Sequence, residues 1–329
     1  MEGEKMKVII PVAGAGTRLR PHTYSTPKPL LYVAGKAVIA HVLKPILELD
    51  PEEIIFVVGF MGDQIEKYIK SNFSFKARFV YQNELLGLGY AVDLGLQEID
   101  GGPVMVVLGD TIVKCDLKQF IQSGDFALGL MPVDDPWRFG IAEINNGILT
   151  AVEEKPENPK SNLAIIGLYY FKDSLMLKGA LQRYITSGKY TRGEIQLTDA
   201  LELMIREKVR FVPFEVQAWL DCGKKNTLLD TNRRLLAEAG NNPVIKGSVI
   251  VPPVYIYSSV KITNSVVGPY VSIAKDTEIE NCIIKNSIIG ENSQIRDMVF
   301  DDSLIGNFVN IKGDRRSLNI GSSSEVDFT

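Results

Sequence analysis

Apolar positions along the chain follow two regimes. From Lys7 to about Phe214, short β-rich runs (VIIPV, EIIFVVG, ARFVYQ, VMVVLGD, FALGLMPV) alternate with longer segments in which apolar residues recur at helical spacing. Residues 37–49 and 62–71 show that spacing, and residues 198–207 show it behind Thr198, a capping-type residue. Strands separated by amphipathic helices predict an α/β fold with helices layered on a mixed, mainly parallel sheet. After Trp219, KKNTLLDTNRRLLAEAG predicts one more helix, stopped by Gly240 and the Asn-Asn-Pro that follows. The expected domains are residues 1–240 and 241–329.

Beyond Pro243 the helical pattern ends and an aliphatic residue followed by glycine recurs, in VGPYVS, IGENSQ, IGNFVN and IGSSSE, beginning at Val267, Ile289, Ile305 and Ile320. The steps of 22, 16 and 15 residues scatter around eighteen, the length of a coil of three six-residue strands. One such unit cannot bury an apolar face by itself, but stacked coils share a continuous aliphatic interior. A small parallel β-helix is therefore expected.

Composition narrows the function. The 329 residues are 45% hydrophobic and 23% charged, ordinary for a chain that folds around large cores. A net charge of -4 supplies no basic field, so neither nucleic acid nor a membrane surface is an expected partner. The N-terminal apolar run is short and quickly broken by glycine, which predicts a cytoplasmic protein. Three dispersed cysteines, Cys115, Cys222 and Cys282, fit reduced packing residues and neither a disulfide framework nor a zinc site.

The first strand runs into Ala13-Gly14-Ala15-Gly16-Thr17-Arg18-Leu19-Arg20-Pro21. Its glycines allow backbone N–H groups to approach a polyphosphate, while Thr17 and Arg18 add a hydroxyl and a fixed cation. A Rossmann fingerprint requires glycine at the position of Leu19, and a Walker loop requires a different spacing, so neither template fits. Asp110 ends the apolar run VMVVLGD, at the carboxyl end of a central strand, where α/β sheets bind ligands. It is a candidate metal ligand.

Gly14, Gly16, Thr17, Arg18, Leu19 and Pro21, followed by Thr26-Pro27-Lys28-Pro29-Leu30, match the signature of sugar-1-phosphate nucleotidyltransferases. The resemblance runs over residues 7–225 and implies a Rossmann-like nucleotidyltransferase domain. It implies that the loop wraps a nucleoside triphosphate and that Arg18 and Lys28 stabilise the pyrophosphate leaving group. Gln82 and Gly87 resemble the family's base-recognition segment, in which the Gln amide pairs with a pyrimidine edge. Gly140 resembles a backbone contact to the sugar ring; Glu154, Lys155 and Tyr169 lie in stretches that resemble the sugar-phosphate site. Asp221, in Trp219-Leu220-Asp221-Cys222-Gly223, matches the second acidic site, and with Asp110 it would hold Mg²⁺. Thr111 stands where many relatives carry Asn.

The pattern is most similar to long-form glucose-1-phosphate thymidylyltransferases, whose tail is a left-handed parallel β-helix of hexapeptide repeats. That implies transfer of a nucleotidyl group from dTTP, or UTP, to glucose 1-phosphate, and it implies a homo-oligomer. Alternatives are another base or sugar, such as GTP with mannose 1-phosphate, or a non-catalytic regulatory homologue. Acyl transfer by the tail is a further alternative, opposed by the absence of histidine after His41. No catalytic role is expected for His22 or His41.

Overall fold

A computed structural model of the protein describes residues 5–241 and 243–313. By their internal contacts these fall into two units, one of residues 5–31 with 36–231 and one of residues 32–35 with 232–241 and 243–313.

The elements begin with β1 (Lys7–Pro11), the two-residue strands β2 (Tyr32–Val33) and β3 (Lys36–Ala37), α1 (Val38–Leu47), β4 (Glu53–Val58), α2 (Gly62–Asn72), β5 (Ala77–Tyr81) and α3 (Leu88–Gln97). There follow β6 (Val104–Val107), β7 (Thr111–Lys114), α4 (Leu117–Gln122), β8 (Phe126–Pro132), β9 (Gly140–Asn145), β10 (Ile148–Glu154) and β11 (Leu163–Phe171). The series continues with α5 (Ser174–Thr186), α6 (Leu197–Arg206), β12 (Val212–Glu215), β13 (Ala218–Asp221) and α7 (Lys225–Ala239).

The main sheet of the first unit has the order β10-β9-β11-β6-β1-β4-β5, with β8 and β12 joined beside β11. Pairing is parallel among β6, β1, β4 and β5 and antiparallel where β11 meets β6, β8 and β9. β1 and β4 are covered on both faces, which explains their unbroken apolar runs: Val8, Ile9, Ile10 and Ile54 through Val58 are fully buried. After β5 the chain crosses β1 to add β6 on its other side. The carboxyl ends of β1 and β6 therefore flank the point where strand order reverses, the usual ligand crevice of an open α/β sheet.

One expected helix start is displaced. α6 begins at Leu197, behind an extended Gln196 that makes no side-chain cap, so Thr198 lies inside the first turn and its hydroxyl is used elsewhere.

Among the described residues of the second unit twelve short strands form three parallel stacks, as in the left-handed parallel β-helix expected from the sequence. Ile256, Ile273, Ile289 and Ile305 lie in register in one stack, in steps of 17, 16 and 16 residues. Val267 belongs to a different stack, between Ile250 and Ile284. The step of 22 from Val267 to Ile289 thus compares two faces of the coil, because every face carries inward aliphatic residues and the motif alone does not say which. Ile320 lies outside the described residues.

At the corners the backbone turns through the left-handed region. Asn264, Asn281 and Asp297 occupy one column at φ 46°, 55° and 56°, and their side chains hydrogen-bond along it, Asn264 to Asn281 at 2.7 Å and Asn281 to Asp297 at 3.0 Å. Asn and Asp tolerate this conformation best after glycine. One outer face is charged, with Lys261 paired to Glu278 and Arg296 to Glu280. The segment 32–35 is tied to this unit through Asn232, whose side-chain oxygen accepts from the Ala34 N–H and the Ser272 hydroxyl.

Candidate active site

The loop after β1 is shaped by its neighbours. Gly16 sits at φ 61°, where a Cβ would come within 3.0 Å of the Thr23 methyl and 3.1 Å of Lys28 Cβ, while the Thr23 hydroxyl donates to the Gly16 carbonyl at 2.9 Å. Gly14 is exposed, with open space on its side-chain side. Thr17 and Arg18 are exposed on the short 3-10 turn that follows, and Arg18 makes no ion pair with a described residue. Lys28 is only 8% exposed.

Asp110 reaches this loop because the chain beyond β6 passes very close to β1. At Gly109 a Cβ would stand 2.2 Å from Val12 Cγ1 and 3.0 Å from Ile10 Cγ2, so no other residue fits without movement. The Lys28 ammonium is ion-paired to one Asp110 carboxylate oxygen, and the Thr111 hydroxyl donates to the other at 3.2 Å. Burial works against the charged carboxylate, but the Lys28 charge beside it and the hydrogen bonds from Lys28 and Thr111 prevail and hold its pKa below the ordinary value.

Asp221 arrives from more than a hundred residues away. β13 pairs antiparallel with β7, setting Asp221 opposite Thr111, and the Cys222 N–H donates to the Asp110 carbonyl at 3.3 Å. Its carboxylate accepts from the Gly223 N–H at 2.8 Å, and the Thr231 hydroxyl donates to its carbonyl. Cys222 is buried between these charges. Burial pushes its thiol up to about 12, with the Asp221 and Asp110 charges acting in the same direction.

A second cluster surrounds Glu154, at the end of β10. Glu154 pairs with Gly140 of β9, and a Cβ at Gly140 would lie 3.1 Å from both Glu154 Oε2 and the Thr198 hydroxyl, so glycine leaves room for both. Thr198 donates to Glu154 Oε2 at 2.8 Å, and Lys155 Nζ lies 3.2 Å from Glu154 Oε1. Lys155 has φ 46°, and the Arg192 guanidinium donates to its carbonyl at 2.8 Å. Tyr169 is buried on β11, where burial and then the Glu154 charge raise its phenol pKa. Phe139 packs against Trp219 with ring centroids 5.0 Å apart.

A third group is Gln82 with the turn into α3. Gln82 is 6% exposed and its Nε2 donates to the Glu84 carbonyl at 2.9 Å, which leaves its oxygen as the unspent acceptor. Gly87 has φ 108°, and side chains at Gly87 or Gly89 would strike the Ile195 carbonyl at 2.6 and 2.9 Å. Packing of this turn against the Ile195 backbone already requires both glycines.

The sequence model of the family described as Nucleotidyl transferase matches residues 7–238. The chain belongs to that family. The nucleotidyltransferase is 29% identical to the low-salt glycan biosynthesis nucleotidyltransferase of Haloferax volcanii, over 98% of this chain and 99% of the relative. It is 30% identical to the glucose-1-phosphate thymidylyltransferase of Streptomyces griseus, over 93% of both chains. A crystal structure of UDP-glucose pyrophosphorylase complexed with UDP-glucose has the same fold over 71% of this chain and all of its own, at TM-score 0.61 and 22% identity. The protein is thus a sugar-1-phosphate nucleotidyltransferase.

Two polar residues of this nucleotidyltransferase are absent from the sequence-level assignment. Thr198 and Arg192 touch Glu154 and Lys155 across 44 and 37 residues of chain. Arg192 is signalled in the sequence only by the stretch Thr191-Arg192-Gly193-Glu194 ahead of α6, and Thr198 reads there as a helix-capping residue. Among the described residues no helix is long and apolar enough to cross a membrane.

Asp110 and Asp221 are hard oxygen donors of the kind a divalent cation such as Mg²⁺ takes. Among the described residues no three His, Cys, Asp or Glu side chains gather as a metal cage, yet Mg²⁺ needs one or two carboxylates and takes its other ligands from water and substrate phosphates. The β7–β13 pair sets Asp221 opposite Thr111, the residue after Asp110, which makes these two carboxylates the candidate ligands.

Proposed function

We propose that this nucleotidyltransferase moves the thymidylyl group of dTTP, or the uridylyl group of UTP, to glucose 1-phosphate and releases pyrophosphate. The carrying observation is the convergence of the Gly14–Arg18 loop, Lys28, Asp110 and Asp221 at the switch point of the sheet. The thymidylyl reading draws support from the relative of nearly equal length that bears that name. Gln82 supports a base whose ring nitrogen carries a hydrogen, because one N–H of its amide is used on Glu84 and its oxygen is left to accept. Uracil and thymine have that N–H, as guanine does, whereas adenine and cytosine present a bare ring nitrogen there.

In this reading the exposed backbone of Gly14 and the hydroxyl of Thr17 receive the triphosphate, and Arg18 and Lys28 hold its β and γ phosphates. Glu154, oriented by Thr198, accepts hydrogen bonds from glucose hydroxyls, while Lys155 binds the 1-phosphate and Gly140 gives the ring room. A phosphate oxygen of the sugar attacks the α-phosphorus; the new P–O bond forms as the bond to the bridging oxygen of the leaving pyrophosphate breaks. The attacking oxygen is already ionised at neutral pH, so no general base is needed. His22, whose pKa is lowered by burial, is correspondingly left without a role. Mg²⁺ on Asp110 and Asp221 would supply charge neutralisation at the phosphates. Residues 1–240 would carry this chemistry, and residues 241–329 packing or assembly of a homo-oligomer.

The test is pyrophosphate release from glucose 1-phosphate with dTTP, UTP, ATP and GTP in turn, with and without Mg²⁺. Turnover with dTTP or UTP that stops on chelation is the expected result. Preference for a purine triphosphate would overturn the base assignment.

A further inference from the structure

Lys28 stands apart from the other cations of the site. Arg18 and Lys155 are exposed or half-exposed, whereas Lys28 is 8% exposed and its ammonium is ion-paired to Asp110. A buried ammonium requires a counter-charge, and here that counter-charge is the residue assigned to the metal. Lys28 also belongs structurally to the phosphate loop. Its stem packs on Gly16, which would leave only 3.1 Å between Lys28 Cβ and a Cβ at that glycine, and Gly16 is held in turn by the Thr23 hydroxyl. One side chain thus joins the place where a triphosphate would lie to the carboxylate that would meet the cation.

Two cations competing for one carboxylate repel each other as well as dividing its lone pairs. The second Asp110 oxygen accepts from the Thr111 hydroxyl at 3.2 Å, so a metal reaching it would share that oxygen and still lie beside the ammonium. From this arrangement we infer that Lys28 acts as a resident counter-ion: in the nucleotide-free enzyme its ammonium neutralises Asp110 and keeps divalent cations off it. An arriving triphosphate draws the ammonium to its own oxygens and releases the carboxylate to the metal. Metal binding is thereby made conditional on nucleotide. The inference rests on the triphosphate and metal roles proposed above.

Mn²⁺, followed by its electron paramagnetic resonance signal in nucleotide-free protein, is the probe. Wild type should bind it weakly. Lys28→Met should bind about tenfold more tightly or better, within the usual range of coupling between sites. The gain should vanish in the Lys28→Met, Asp110→Asn double variant. Lys28→Gln serves as a second neutral replacement, and circular dichroism verifies folding of each. No gain in either folded Lys28 variant overturns the inference. So does a wild-type crystal soaked in Mn²⁺ alone that shows the ion on Asp110 with Lys28 still paired, whatever the variants do. If Asp110→Asn and Asp221→Asn both retain turnover, the metal assignment falls and the inference with it. Loss of turnover in both, with no gain in the Lys28 variants, sinks the inference alone.

Discussion

The catalytic unit and the coiled tail both bury aliphatic side chains almost completely, but they draw order from contacts of different reach. In the tail each residue meets its counterpart 16 or 17 positions away, Ile262 on Ile279 and Ile279 on Ile295, and corner Asn and Asp side chains repeat the same bond from coil to coil. In the catalytic unit the decisive contacts join Lys28 to Asp110, Asp221 to the strand after Asp110, and Thr198 to Glu154. Damage to the tail should therefore register as lost stability, and damage to the cleft as lost chemistry.

The sharpest test is Asp221→Asn, which keeps shape and removes a charge. Turnover should fall on the order of a hundredfold or more while the melting temperature stays near wild type. A variant that melts early instead would erase the distinction between the regions. Ile279→Ala makes the opposite prediction. Ile279 is 1% exposed within the coil, and its truncation should cost about 2–5 kcal/mol in denaturant unfolding, with the kcat of folded protein unchanged.

A smaller effect is expected at the corners. Asn281→Ala places a Cβ-bearing residue without ladder bonds at φ 55°, costing about 1–2 kcal/mol, whereas Asn281→Gly keeps the turn and should lose less. Equal losses would show that the hydrogen bonds, and not the backbone, carry the column. Thr198→Val removes the hydroxyl that orients Glu154, so KM for the sugar phosphate should rise about fivefold while KM for the nucleotide is unmoved.

The smallest expected signal concerns Cys222. Its thiol is raised in the folded protein from an ordinary 9.0 to about 12, which means that folding favours the protonated form. That contribution is intact below the ordinary thiol range and is lost as pH rises from about 9 toward 12. Iodoacetamide at pH 8, read by mass spectrometry, should leave Cys222 unmodified until the protein unfolds.

Much of this was legible along the chain because strong local patterns coincide with real elements. The apolar runs at 8–10, 54–58 and 104–107 are strands buried on both faces, and helical spacing located α1, α2 and α7. The α/β reading held for the parallel side of the sheet; on the antiparallel side β9 and β10 mix polar with apolar positions, while the apolar nine-residue β11, LAIIGLYYF, was not picked out. The coil period was blurred for a different reason. Each turn has three faces that look alike in sequence, so Val267 and Ile289 could be aligned although they never stack.

Local chemistry in the chain was sufficient for the loop, for the candidate acids and for the division into a layered and a coiled region, since each depends on residue type and near-neighbour spacing. Tertiary structure alone decided that Asp221 lies across from Thr111, that Gly109 must be glycine, that Thr198 serves Glu154 instead of capping its helix, and that Lys28 is neutralised by Asp110. These are meetings of residues between 44 and 110 positions apart in the chain. Periodicity cannot encode them, because they follow from strand order and the close passage of one backbone over another.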